Sequence, residues 1–328
     1  LPLMTATPGN TAKSPPESPF APGLGWAWAA LGVSALGWAL APVFIRYLSP
    51  HYNAYTQSFV RYASAAAALT PWCAVFYPRE LRQALGRWRA LLGISLLVVL
   101  MQTAWTLAIY KTTATSAQLV VKLQVPMVAL LSYAAFHEER GVIRDPRFLA
   151  GAALSLFGVW GVLLREPGAG ALPSPDRSFW LLMLVNVCWA VYIVASRHAC
   201  RDLHPVPMFT VVANLVTVGF LPMMLWKGDA SEVVSAGPGV AAVAFLSGAV
   251  SISLSHSAFH YAQVRLGAAF CTTLHLLNPL ATYAVALALW PDEAMNAVQW
   301  AGAALLIGGS ALVVRARRPV NEEDPGPT

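Results

Sequence analysis

"AGAAL" occurs twice in this chain, at 150–154 within "AGAALSLFGVWG" (150–161) and at 301–305 within "AGAALLIGG" (301–309). The copies start 151 residues apart. Laying the sequence on itself with that shift sets Trp38-Ala39 on Trp189-Ala190, Arg46 on Arg197 and Pro71 on Pro222. Between these anchors the shift drifts to 153, where Pro126 meets Pro279. The chain reads as two copies of one unit.

Composition says where that unit lives. Of the 328 residues, 57% are hydrophobic and only 11% charged, against about 25% charged in a soluble domain. Mean hydropathy is +0.57. A helix needs about 20 apolar residues to cross the hydrocarbon. Ten segments qualify: 24–48, 54–77, 88–110, 115–136, 147–165, 178–197, 207–226, 238–261, 267–290 and 296–315. With both tails on one side, that side holds fourteen Lys and Arg, and the other holds five: Arg46, Lys111, Arg165, Arg177 and Lys227. By the positive-inside rule both tails are expected in the cytoplasm. The net charge of +6 is spread over short loops, so the expected partner is a bilayer rather than nucleic acid.

Each copy holds five segments. Five is odd, so the second copy enters the membrane from the opposite face, about a pseudo-two-fold axis in the membrane plane. The expected fold is an all-α membrane protein: ten transmembrane helices as two inverted five-helix repeats (24–165 and 178–316) around a central cavity. The Pro- and Ser-rich residues 1–23 and the stretch 317–328 are expected to be disordered tails, and the first of these lacks the basic n-region of a secretory signal. Folds of this kind are commonly secondary transporters with a site near the midplane.

Short motifs recur in a fixed order. Trp38 is mid-segment, Arg61 sits in "SFVRYAS", and "LAIYKTTATSAQLVV" leads to Pro126 and then Glu139-Arg140; the second copy has "FHYAQVRLGAAF", Pro279 and Glu293. Over about 24–316 this pattern resembles the EamA family of the drug/metabolite transporter superfamily. The resemblance implies a bacterial inner-membrane secondary transporter, not an enzyme. Its expected cargo is a small metabolite, best an amino acid or related carboxylate, moved by export or exchange. Uptake, or transport of drugs and other metabolites, stays open. Three positions depart from the pattern: "WPDEA" has no basic residue after Glu293, Val212 stands opposite Arg61, and Lys122 is not expected where it is.

Lys122 lies four residues before Pro126, and His275 lies four residues before Pro279. The two are repeat mates, expected to face each other across the centre, with Gln124 and Asn278 as further polar candidates. Arg61 and Lys122 are each seven residues into segments that begin outside, about 10 Å below the boundary at 1.5 Å per residue. No Asp or Glu lies within a segment, and buried charges are normally paired. An anionic substrate group is therefore the expected partner of Lys122. A solvated cavity wall or a snorkelling side chain is the alternative, and Arg61 reads equally as structural.

His256 and His260 are four apart, on one helical face. With His275 they read as packing or cavity lining, or as a proton or substrate relay; a metal site lacks supporting Cys or carboxylates. Trp38 and Trp189 pack a core or stack on a substrate. Trp72, Trp88, Trp180, Trp226 and Trp290 read as an interfacial belt. Pro42, Pro71, Pro126, Pro222 and Pro279 read as kinks and hinges. The small residues at 150–161 and 301–309 predict close helix contact within a monomer or a homodimer. No C-x-x-C, P-loop, H-E-x-x-H or G-x-S-x-G motif occurs, so no cofactor or metal is expected.

Overall fold

The computed structural model describes residues 24–135, 145–163, 176–199, 202–266, 271 and 274–316. The two expected tails fall outside them. Among the described residues there is no strand. The first half holds α1 (Leu24–Leu48), α2 (Ala54–Phe76), α3 (Pro78–Gly86), α4 (Trp88–Ile109), α5 (Ala114–Val120), a 3-10 turn (Val121–Leu123), α6 (Gln124–Ala135) and α7 (Pro146–Leu163). The second holds α8 (Arg177–Ala199), α9 (Pro205–Lys227), the one-turn α10 (Glu232–Ser235), α11 (Gly237–Gly248), a π-helical stretch (Ala249–Leu254) and α12 (Ser255–Leu266). A 3-10 turn (His275–Leu277), α13 (Asn278–Leu289), a second 3-10 turn (Pro291–Glu293) and α14 (Ala297–Ala316) complete it.

Among the described residues, seven helical stretches are long and apolar enough to cross a membrane: α1, α4, α7, α8, α9, the run through α11 and α12, and α14. Among the described residues, three of the ten expected spans do not appear as one long apolar helix. The 23-residue α2 is long enough but too polar, since Thr56, Gln57, Ser58, Arg61 and Ser64 lie along it, all buried. The 115–136 segment is cut by its 3-10 turn at Lys122. Of the expected 267–290, residues 267–270, 272 and 273 lie outside the described residues; the described run His275–Leu289 is apolar. Those three elements carry the intramembrane charge candidates and His275, and each buries that polar side chain against protein.

The two halves pack by exchange. α1 lies against α12 and the π-helical stretch, while α8, its repeat mate, lies against α4. α1 packs on α13, and correspondingly α8 packs on α6. The mates α2 and α9 run antiparallel: Tyr62 meets Phe220, Thr70 meets Asn214, and Cys73 Sγ meets Thr210 Oγ1 at 2.9 Å.

The tightest contact is between α7 and α14, the helices that carry the two "AGAAL" copies. A Cβ built on Gly151 would lie 2.5 Å from the Gly309 carbonyl oxygen, and one on Gly158 would lie 2.7 Å from that of Gly302. The repeat sets Gly151 on Gly302 and Gly158 on Gly309. Each glycine therefore meets the mate of the other, the self-complementary pattern of a two-fold contact, and the rising and falling numbers make the pair antiparallel. Ser155 and Ser310 hydroxyls meet on the same seam at 3.4 Å. Small residues let the backbones approach, as the sequence predicts, here within one chain.

Candidate substrate site

The site is built where three helices lose a backbone hydrogen bond. Proline has no N–H, so it strands the carbonyl four residues earlier. Pro42 strands Trp38, Pro126 strands Lys122, and Pro279 strands His275. Each carbonyl finds another donor: Gln118 Nε2 reaches that of Trp38 at 3.3 Å, Ser310 Oγ lies 3.5 Å from that of Lys122, and the Asn278 N–H turns back onto that of His275. Next to the Lys122 turn, Asn186 Nδ2 donates to the Val120 carbonyl at 3.2 Å. Lys122 and His275 both fall in 3-10 turns, at matching places in the two halves.

These turns bring together what the sequence set four residues before a proline. The Trp38 and His275 rings are 4.7 Å apart. Trp38 also meets His256 at 5.1 Å and Phe259 at 4.8 Å, and Phe259 meets His275 at 5.1 Å. Phe209 stacks on His256 at 4.3 Å and 9°. The Lys122 side chain is within electrostatic range of His275. Lys122 is 5% exposed, and among the described residues no carboxylate pairs with its ammonium.

Hydrogen bonds set the imidazoles. Ser34 Oγ donates to the Leu31 carbonyl at 2.9 Å, so it accepts from His275 Nε2 at 3.2 Å. His275 Nδ1 then accepts from Asn278 Nδ2 at 3.1 Å. This is a neutral ring with both nitrogens satisfied. His256 Nδ1 donates to the Ile252 carbonyl at 2.7 Å, inside the π-helical stretch. Such irregular turns recur at functional sites.

The remaining sequence candidates divide. Asn278 belongs to the cluster, and His260 touches its edge through Phe259, 6.0 Å between rings. Gln124 is half-buried beside the Lys122 turn. Arg61 is buried, and its Nε donates to Ser247 Oγ at 2.7 Å while Tyr62 and Tyr110 lie in electrostatic range, so it ties α2 to α11. Trp189 pairs with Tyr192 at 5.5 Å and packs on the main hydrophobic core, away from the part its mate plays. The reason is local: Ile193 stands where Trp38 has Pro42, so no break opens there. Cys73, Cys188 and Cys271 are buried thiols. Among the described residues no His, Cys, Asp and Glu cluster fits a metal ion.

Sequence reasoning passed over Glu293. Its side chain is fully buried and ion-paired with Arg46, whose other nitrogen reaches Asp292 at 2.6 Å. Glu293 also accepts from the backbone N–H groups of Ala114 at 2.7 Å and Thr115 at 3.1 Å, at the start of α5. Arg46 covers the Trp290 ring at 4.7 Å, so Trp290 serves this ion pair as well as any interface. The only sequence signal was Glu293's place in the repeated motif order. At this end Asn53 N–H of the first half donates to Glu232 of the second at 2.6 Å, and within the first half Tyr110 Oη donates to the Tyr52 carbonyl at 2.7 Å. Burial, then Glu232, raises the Tyr52 phenol above its usual value. An open cavity of about 500 Å³ lies here, among Ser49, Tyr52, Tyr55, Tyr110, Lys111 and Glu232.

Fold and site thus define a polytopic helical membrane protein made of two like halves, with a polar and aromatic centre at proline breaks. The chain belongs to the EamA-like transporter family, which matches residues 25–164 and 177–315, one match per half. No curated protein matches it. Among solved structures, one crystal structure superposes with a TM-score of 0.55 at 20% identity, covering 87% of this chain and 95% of that one; at that identity it speaks for the fold alone.

Proposed function

We propose that this protein is a secondary transporter that carries a small carboxylate-bearing metabolite, an amino acid or a close relative, by alternating access. In this reading ten segments cross a bacterial inner membrane, the halves insert in opposite senses with both tails cytoplasmic, and a monomer or homodimer exports or exchanges its solute. The observation that carries the substrate class is Lys122: a buried cation, on a broken helix, against a ring cluster, without a carboxylate among its described neighbours. An unpaired charge at such a place is costly, and a substrate carboxylate relieves it each time one binds. Trp38, Phe259 and the neutral His275 supply the apolar and hydrogen-bonding walls. The antiparallel seam supports opposite insertion, and the proline breaks give the rocking halves places to bend.

The test pairs two measurements on reconstituted protein. Solute flux into vesicles must leave the solute chemically unchanged. Lys122→Met is then expected to weaken binding of carboxylates by tenfold or more, about 1.4 kcal/mol, while binding of the matching neutral amides changes little. Equal loss for acid and amide would overturn the charge role.

A further inference from the structure

We propose that Glu293 and Arg46 are positioning residues of transport: a latch that closes one mouth of the path by holding the half-helix on which Lys122 rides. The inference rests on the alternating-access reading above.

The geometry is specific. Glu293 belongs to the second half; Arg46, Ala114 and Thr115 belong to the first. One oxygen takes Arg46 and the Ala114 N–H, and the other takes the Thr115 N–H. The carboxylate thus joins the end of α1, the start of α5 and the 3-10 turn before α14. Such charge-assisted bonds are the strong ones, and a negative charge suits a helix start. Thr113 Oγ1 meets the next N–H, that of Ser116, so the first turn of α5 is satisfied by Glu293 and Thr113 together. From Ala114 to Lys122 is eight residues, about 12 Å along a helix. Whatever moves the start of α5 moves Lys122.

The other ties at this end are weaker. Asn53 to Glu232 is a single exposed hydrogen bond, and Thr56 and Asp229 exchange two neutral ones through the Thr56 hydroxyl, at 3.2 and 3.0 Å. Glu293 is the fully buried ionic bridge between the halves among the described residues. Its buried charge is tolerable only while all partners are present, so the latch is either made or released, with no stable half-way state. That is what a two-state mouth needs.

The test needs no substrate. In full-length protein with its four cysteines replaced by serine or alanine, Ala117→Cys places a thiol on α5 between the latch and Lys122. A membrane-impermeant maleimide is applied from each side of oriented vesicles. Glu293→Gln is expected to raise labelling from the latch side about tenfold and to lower it from the opposite side, with the melting temperature shifted by only a few degrees. The reciprocal change is the signature: mere loosening raises labelling from both sides. Arg46→Lys, which keeps the charge and loses the fork, is expected to shift labelling the same way by less, and carries the test if Glu293→Gln does not fold. Labelling that rises on both sides, or stays unchanged in folded protein, overturns the latch. If labelling shifts reciprocally while no carboxylate is carried, the latch stands and the proposed substrate falls. If carboxylates are carried while labelling is unchanged, the reverse holds.

Discussion

The halves of this protein meet in two quite different ways. Along α7 and α14, equivalent residues do equivalent things: Gly151 meets Gly309, and Gly158 meets Gly302. At the proline breaks, equivalent positions hold unlike residues: Lys122 against His275, and Trp38 with a proline where Trp189 has none. The seam keeps the two-fold relation and is packed backbone to backbone, which suits a fixed joint. The centre breaks the relation. Duplication supplies the scaffold, and divergence at a few positions makes the centre unlike in the two halves.

The comparison is easiest to break at the seam. Gly158→Val would force a side chain to within 2.5 Å of the Leu306 backbone nitrogen. Overpacking of this kind costs about 1–3 kcal/mol where side chains can yield; backbone cannot, so the loss of folded protein on a melting curve is expected to be at the top of that range or above. Gly302→Val should match it. If only one of the pair is harmful, the seam is not two-fold.

The centre should behave in the opposite way. Lys122→Met removes a buried charge and keeps most of the volume, so the ligand-free protein is expected to melt no lower, and up to a few degrees higher. Carboxylate binding is lost in the same variant. A clear drop in melting temperature without ligand would mean that Lys122 is a structural residue like those of the seam.

A smaller effect should come from Pro126→Ala. It returns an N–H to the Lys122 carbonyl and changes stability by about 1 kcal/mol or less, while slowing flux severalfold by stiffening the break. Pro279→Ala is its mate, and a difference between the two flux rates measures how unequally the halves share the motion. The smallest change is expected for Arg87→Ala. Its ion pair with Asp202, 3.5 Å long, is about half exposed at Arg87 and more so at Asp202, and exposed pairs contribute about 0–1 kcal/mol. A unit-scale change in melting free energy there would give that pair a weight like that of Arg46 and Glu293.

Much of this architecture was legible in composition and in the repeat. Membrane residence follows from how few charges the chain carries, and the two-unit plan from the "AGAAL" copies. That Lys122 and His275 sit at matching breaks was legible too: both fall in 3-10 turns, because proline acts on the carbonyl four residues earlier whatever surrounds it. Arg61 read equally as structural and as a substrate contact, and in the structure its Nε donates to Ser247 Oγ. Two spans predicted as plain crossings carry more than apolar length: α2 holds a row of buried polar side chains, and the 115–136 span is cut by a 3-10 turn at Lys122.

Where the chain decides matters locally, a sequence is enough: apolar length, the missing N–H of a proline and the spacing of two copies act over a few residues or in register. The gathering of Trp38, His256, Phe259 and His275 and the burial of Glu293 against Arg46, 247 positions away, are long-range contacts that leave no local pattern. They exist only once helices from both halves have packed, because burial, and with it the strength of a charge's demand for a partner, is a property of the assembled interior.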